Sequence, residues 1–198
     1  MSQRPHHRPT TPGSHYFEAI SSGVDPAELS EAADRAAALL VRGAHDSDDD
    51  AVAERLLRLA DTEGIETIAE VWSGAPGDSL AGCLWRLFLL RSWVWADPVD
   101  VAGQFEAGRA AAPVARVVAG VADPPGPDQL RAMIDQVLRG IAEGDFADVL
   151  FRAAAFARVV ATGRAALATS SEQEVVRMLA LAEQLEAAGH VELTQGLA

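Results

Sequence analysis

The chain has no lysine and no asparagine, and only one cysteine and one tyrosine among 198 residues. Lysine and asparagine share the AA-initial codons. Their joint absence points to a very GC-rich genome and weakens any argument from the 39 alanines or 16 arginines. A single thiol, Cys83, excludes an intrachain disulfide. It lies in an apolar run and reads as a small buried hydrophobe. One tyrosine and five isoleucines leave few residues that favour strands, whereas Ala, Leu, Glu and Arg favour helix. No run alternates apolar and polar residues for long enough to suggest a strand.

Targeting and catalytic signatures are also lacking. Residues 1–15 hold Arg4, Arg8, Pro5, Pro9 and Pro12 with no apolar centre, unlike a secretory signal. The longest apolar run, Leu80 to Ala96, spans 17 residues and carries Arg86 and Arg91, so it is short and charged for a membrane span. A cytoplasmic location is expected. There is no G-x-S-x-G, H-E-x-x-H or Walker loop, and Gly74, Gly77 and Gly82 follow no expected strand. Asp46, Asp48 and Asp50 have the spacing that opens a calcium loop, but Ala51 and Leu57 stand where it needs Gly and Glu. His6, His7 and His15 fall in the polar tail, and His45 and His190 are isolated near helix ends. No catalytic residue, metal or cofactor is implied, and the reading leans away from an enzyme.

Charge is abundant and uneven. The net charge is −13. Residues 1–70 carry 14 acids and 6 Arg, giving −8; residues 71–122 carry 4 and 4, giving 0. Residues 123–169 carry 6 and 5, giving −1; residues 170–198 carry 5 and 1, giving −4. Such a field repels a phosphate backbone and suits a soluble cytoplasmic protein or one that meets a basic partner.

Start and stop signals divide the chain into about eight helices. Residues 1–16 read as a disordered tail, and residues 17–198 as one helical domain. Asp25-Pro26 with Glu28 starts a helix that runs to Gly43. A second starts near Ser47 or Asp48 and stops at Gly64, and a short one runs from Ile65 to Trp72. Asp78 or Ser79 caps a helix reaching about Trp95, with Leu80, Cys83, Leu84, Leu87, Phe88, Leu90, Val94 and Trp95 in one broad sector and Trp85, Leu89 and Trp93 opposite. Arg91 falls inside the apolar sector, which predicts partial burial with a carboxylate partner. Asp97-Pro98 starts the next helix, to about Arg109, and Pro113 interrupts the run that follows. The loop 122–127 is the candidate subdomain break. Helices are expected over Asp128–Glu143, from Asp145 to about Leu167, and from Ser170 or Ser171 to Gly189, with the last nine residues loose. The fold class is an all-α, single-domain helical bundle without a sheet.

Two groups of residues are candidates for function. Trp72, Trp85, Phe88, Trp93 and Trp95 could anchor an interface or line a pocket, although core is the commoner fate of such residues. Arg86, Arg91, Arg152, Arg158 and Arg164 could meet phosphate or an acidic partner; the alternative is pairing with acids of neighbouring helices. The segment 149–171 contains no acid and has a local charge of +3.

The stretch Asp78-Ser79-Leu80-Ala81-Gly82-Cys83-Leu84-Trp85-Arg86-Leu87-Phe88-Leu89-Leu90-Arg91-Ser92-Trp93 resembles one found in all-helical actinobacterial proteins of uncharacterised function, some labelled DNA-binding. Pro124-Pro125-Gly126-Pro127 and Arg152-Ala153-Ala154-Ala155-Phe156-Ala157-Arg158-Val159-Val160 extend the resemblance over about residues 45–168. It implies a nucleic-acid partner and no catalytic residues. A helix-turn-helix with its proportions fits Val52–Asp61 and Ile65–Trp72, but the second helix carries Glu66 and Glu70 and no Arg. The leading expectation is a non-enzymatic interaction or regulatory protein that self-associates or binds a protein partner. DNA binding and an apolar small molecule held between helices near the tryptophans are the alternatives.

Overall fold

The computed structural model describes residues 26–42, 69, 72–111, 125–138, 145–168 and 170–197. Among these, six helices and no strand are found: α1 Pro26–Arg42, α2 Leu80–Ala96, α3 Pro98–Ala111, α4 Pro127–Leu138, α5 Phe146–Leu167 and α6 Glu172–Thr194. The tail 1–16, the expected helices at 48–64 and 114–121, the helix-turn-helix apart from Ala69 and Trp72, and residues 122–124 of the 122–127 loop lie outside the described residues.

Local chemistry sets most of the helix ends. Ser79 caps α2, its Oγ accepting from Gly82 N at 3.1 Å. Asp97 separates α2 from α3 and accepts from Asp100 N at 3.2 Å, while Pro98, which has no N–H to lose, takes the first position of α3. Asp145 accepts from Ala147 N at 2.9 Å to start α5. Ser171 and Glu174 form a reciprocal capping box at α6. The hydrogen bonds from Ser171, side chain first and backbone second, hold the Glu174 carboxyl below its ordinary range. Between α5 and α6, Ala168 adopts the left-handed region at φ 52° and turns the chain back.

Two departures concern α6. The expected stop at Gly189 is not a stop: the helix continues to Thr194, and Leu197 beyond it is buried. Gly189 is instead a seat for the Phe151 ring, which a Cβ there would meet at 2.9 Å. The residues expected to be loose are tied down. Arg42 Nη2 donates to Leu197 O at 2.8 Å and to Glu192 Oε2 at 3.0 Å, and Glu192 accepts from Leu197 N at 2.7 Å.

The core is one apolar cluster fed by α1 (Ala33, Ala37, Leu40), α2 (Leu84, Leu87, Leu90), α3 (Val101, Phe105), α4 (Leu130, Ile134), α5 (Leu150, Phe156, Val160) and α6 (Met178, Leu185). Helices on both sides of residues 122–127 therefore share it. α5 is central, packing most extensively against α6 and α3, while α2 lies against α1 and α4. Alanines on α5 let its neighbours come close. At the crossing with α3, a Cβ on Gly108 would fall on Val159 O, and one on Gly163 would fall on Gln104 O. These backbones touch directly. Among the described residues no helix is long and apolar enough to cross a membrane.

Candidate functional site

The sequence-selected aromatics separate into different environments. Trp72 is fully buried, and its indole Nε1 donates to Ala33 O at 3.2 Å. Phe88 is buried and stacks on half-buried Trp85 with centroids 5.6 Å apart. Trp93 is half-buried beneath Arg164, whose guanidinium carbon lies 4.6 Å from the ring centroid. Trp95, in the apolar sector of α2 by periodicity, is 51% exposed. The helix ends one residue later.

Trp95 is exposed but not loose. Arg131 of α4 lies over its ring at 3.7 Å, and Arg91 lies 5.6 Å from the same centroid. Cation–π contacts of this kind favour the stacked geometry. Arg91 also pairs with Asp135, and Arg131 with Asp128 at 3.2 Å. Val99, in the first turn of α3, is 82% exposed. Beside these lies a shallow depression of about 540 Å³ formed by Arg91, Ser92, Trp95 and Ala96.

Each of the five sequence-selected arginines has a partner within the chain. Arg86 Nε donates to Gln184 Oε1 at 2.9 Å and Nη1 to Gly82 O at 2.9 Å. Arg158 pairs with Glu186 across the α5–α6 interface. Arg152 lies 3.8 Å from Asp148, one turn back. Arg164 Nε donates to Gln104 Oε1 at 2.8 Å. Gln104, only 2% exposed, in turn donates to Asp100. The buried amide thus relays between an acid and an arginine, using both its carbonyl and its NH₂ group. Sequence reasoning missed Gln104, Arg131 and Asp135. Arg131 and Gln104 have an acid one turn back on their own helices, Asp128 and Asp100, but their contacts to Trp95 and Arg164, and that of Asp135 to Arg91, cross between helices and leave no local mark.

A second concavity, of about 420 Å³, lies at the other end of α2. Gly77, Asp78 and Arg86 form one side and Gln184, Ala187, Ala188, Val191 and Leu197 the other. Cys83 is buried nearby, with its Sγ 3.9 Å from Gly77 O. Burial pushes its thiol up to about 12, against the opposing pull of Arg86 and with smaller upward contributions from Glu192 and Asp78. This is the setting of an inert thiol and not of a nucleophile. Among the described residues no three His, Cys, Asp or Glu side chains group as a metal site.

No known family matches the chain, and no curated protein or solved structure matches it either.

Proposed function

We propose that this chain is a non-enzymatic helical interaction protein that self-associates through the corner carrying Trp95 and Val99. The observation that supports this reading is a half-exposed tryptophan held in place by Arg131 at 3.7 Å, with an 82% exposed valine four residues on, in the first turn of the following helix. Interface energy concentrates in large aromatics near arginine, and an anchor already fixed in one geometry loses little entropy on docking. In a twofold dimer, Trp95 of one copy would meet the Val99 corner of the other. The finer sequence reading belongs to the same proposal: about eight helices in one domain, in a cytoplasmic protein of an actinobacterium.

Sedimentation velocity over a concentration series tests it. A monomer–dimer equilibrium is expected, weakened at least about tenfold in W95A, which corresponds to about 1.4 kcal/mol. Because each copy carries −13, association should tighten as salt rises and screens the repulsion. A monomer at every concentration would overturn self-association. The DNA alternative has less support, since a duplex would have to draw Arg86, Arg91, Arg152, Arg158 and Arg164 from partners they already hold. Duplex titration at low salt decides that alternative.

A further inference from the structure

The concavity between the start of α2 and the end of α6 has two unlike walls, and the difference defines a ligand. Its volume, about 420 Å³, falls in the range that holds small molecules. Ala187, Ala188, Val191 and Leu197 give an apolar wall. The same lining holds a cation and an anion, Arg86 and Asp78, which among the described residues form no ion pair with each other. The guanidinium is oriented by Gln184 through Nε and by the Gly82 carbonyl through Nη1, and this leaves Nη2 to donate elsewhere. Because the Gln184 carbonyl oxygen is fixed by Arg86, its amide nitrogen is also left as a donor. The other carboxylate at this end, Glu192, is already held by Arg42 and Leu197 N. It does not compete for an incoming cation.

We infer that this concavity binds a small zwitterion with an apolar tail, the chemistry of a free aliphatic α-amino acid. The carboxylate accepts from Arg86 Nη2 and the Gln184 amide, the ammonium donates to Asp78, and the tail lies on Ala187, Ala188, Val191 and Leu197. A pure anion would face Asp78 and a pure cation would face Arg86, so each charge of the site selects against the ligand lacking its counterpart. Gly77 contributes by what it lacks, because a Cβ there would fall on Arg86 Nη2. That nitrogen ends a flexible side chain, so an alanine displaces the guanidinium without disturbing the core. The site lies at the opposite end of α2 from Trp95, and the inference is independent of self-association.

The test is titration of the full chain with leucine, followed by NMR shifts or calorimetry. Parallel titrations use 4-methylpentanoate, which lacks the ammonium, and isoamylamine, which lacks the carboxylate. Leucine should bind saturably, and each analogue about tenfold or more weaker. G77A should lose about tenfold in leucine affinity while keeping its helix content and melting temperature. A187W, which fills the apolar side from an exposed position, should abolish binding. Absence of saturable leucine binding, equal binding of the analogues, or wild-type affinity in folded G77A or A187W would each overturn the assignment.

Discussion

Two tryptophans, one in the segment that leads into α2 and one in its last turn, are treated in opposite ways. Trp72, eight residues ahead of the helix, is fully buried and its indole N–H is satisfied by the Ala33 carbonyl of α1. Trp95, in the last turn, is half-exposed and is covered on one face by an arginine of α4. The same side chain fastens helices together in one place and offers a surface in the other. What separates the two uses is the supply of neighbours: α1 lies against Trp72, whereas α2 ends beside Trp95, whose ring is faced by the arginines Arg131 and Arg91.

Removing the rings sharpens that contrast. W72A should lose about 3–5 kcal/mol in urea unfolding, from lost burial plus the cavity left behind. The vacated Ala33 carbonyl adds to the loss. W95A should change stability by no more than about 0.5 kcal/mol and show its effect in association. Equal losses at both positions would mean that Trp95 is part of the core.

The next largest effect is expected where the helices meet through backbone. G163A should destabilise by about 1–3 kcal/mol despite alanine's better helix propensity, because its Cβ falls on Gln104 O. G103A, on the exposed side of α3 with open space around it, should gain about 0.5–1 kcal/mol from propensity alone. The two thermal melts should move in opposite directions.

D135A removes the carboxylate facing Arg91. A loss of about 1–2 kcal/mol is expected, reduced by the partial exposure of both groups. The same variant loosens Trp95, since Arg91 also reaches that ring.

The effect that vanishes at neutral pH concerns Cys83. Burial holds its thiol at about 12, above the unfolded value, so the folded state favours the neutral form. The associated stability is complete below the unfolded thiol range and is lost as pH rises toward 12. Over that window the wild type should lose at most about 1.4 kcal/mol per pH unit more than C83A. Native protein at pH 8 should react slowly with a thiol reagent, and denatured protein quickly.

What the sequence made legible was local. Ser79, Asp145 and Ser171 with Glu174 announced their helices because a cap is written within four residues. The apolar sector of α2 followed from its period, and so did the expectation that Arg91 needs an acid. That acid is Asp135, 44 residues away, and nothing nearby distinguishes it from other carboxylates. Gln104 was invisible for the same reason: its arginine lies 60 residues on. Gly189 misled because a glycine that ends a helix and one that admits a ring look alike in sequence. For Trp95, weighed both as core and as an interface anchor, periodicity gives a direction but not whether a neighbour waits there.

The glycine crossing of α3 and α5 also constrains how this protein can change. An oversized side chain in a core can be accommodated by trimming its neighbour, but the obstacle at Gly108 and Gly163 is main chain, which no substitution can trim. Sequence drift at these two positions has no local compensation and must move a whole helix axis. They act as fixed points about which the alanine-rich surface of α5 can vary. Directed evolution for stability or new binding should therefore recover changes on α2 and α6 long before any at positions 108 and 163.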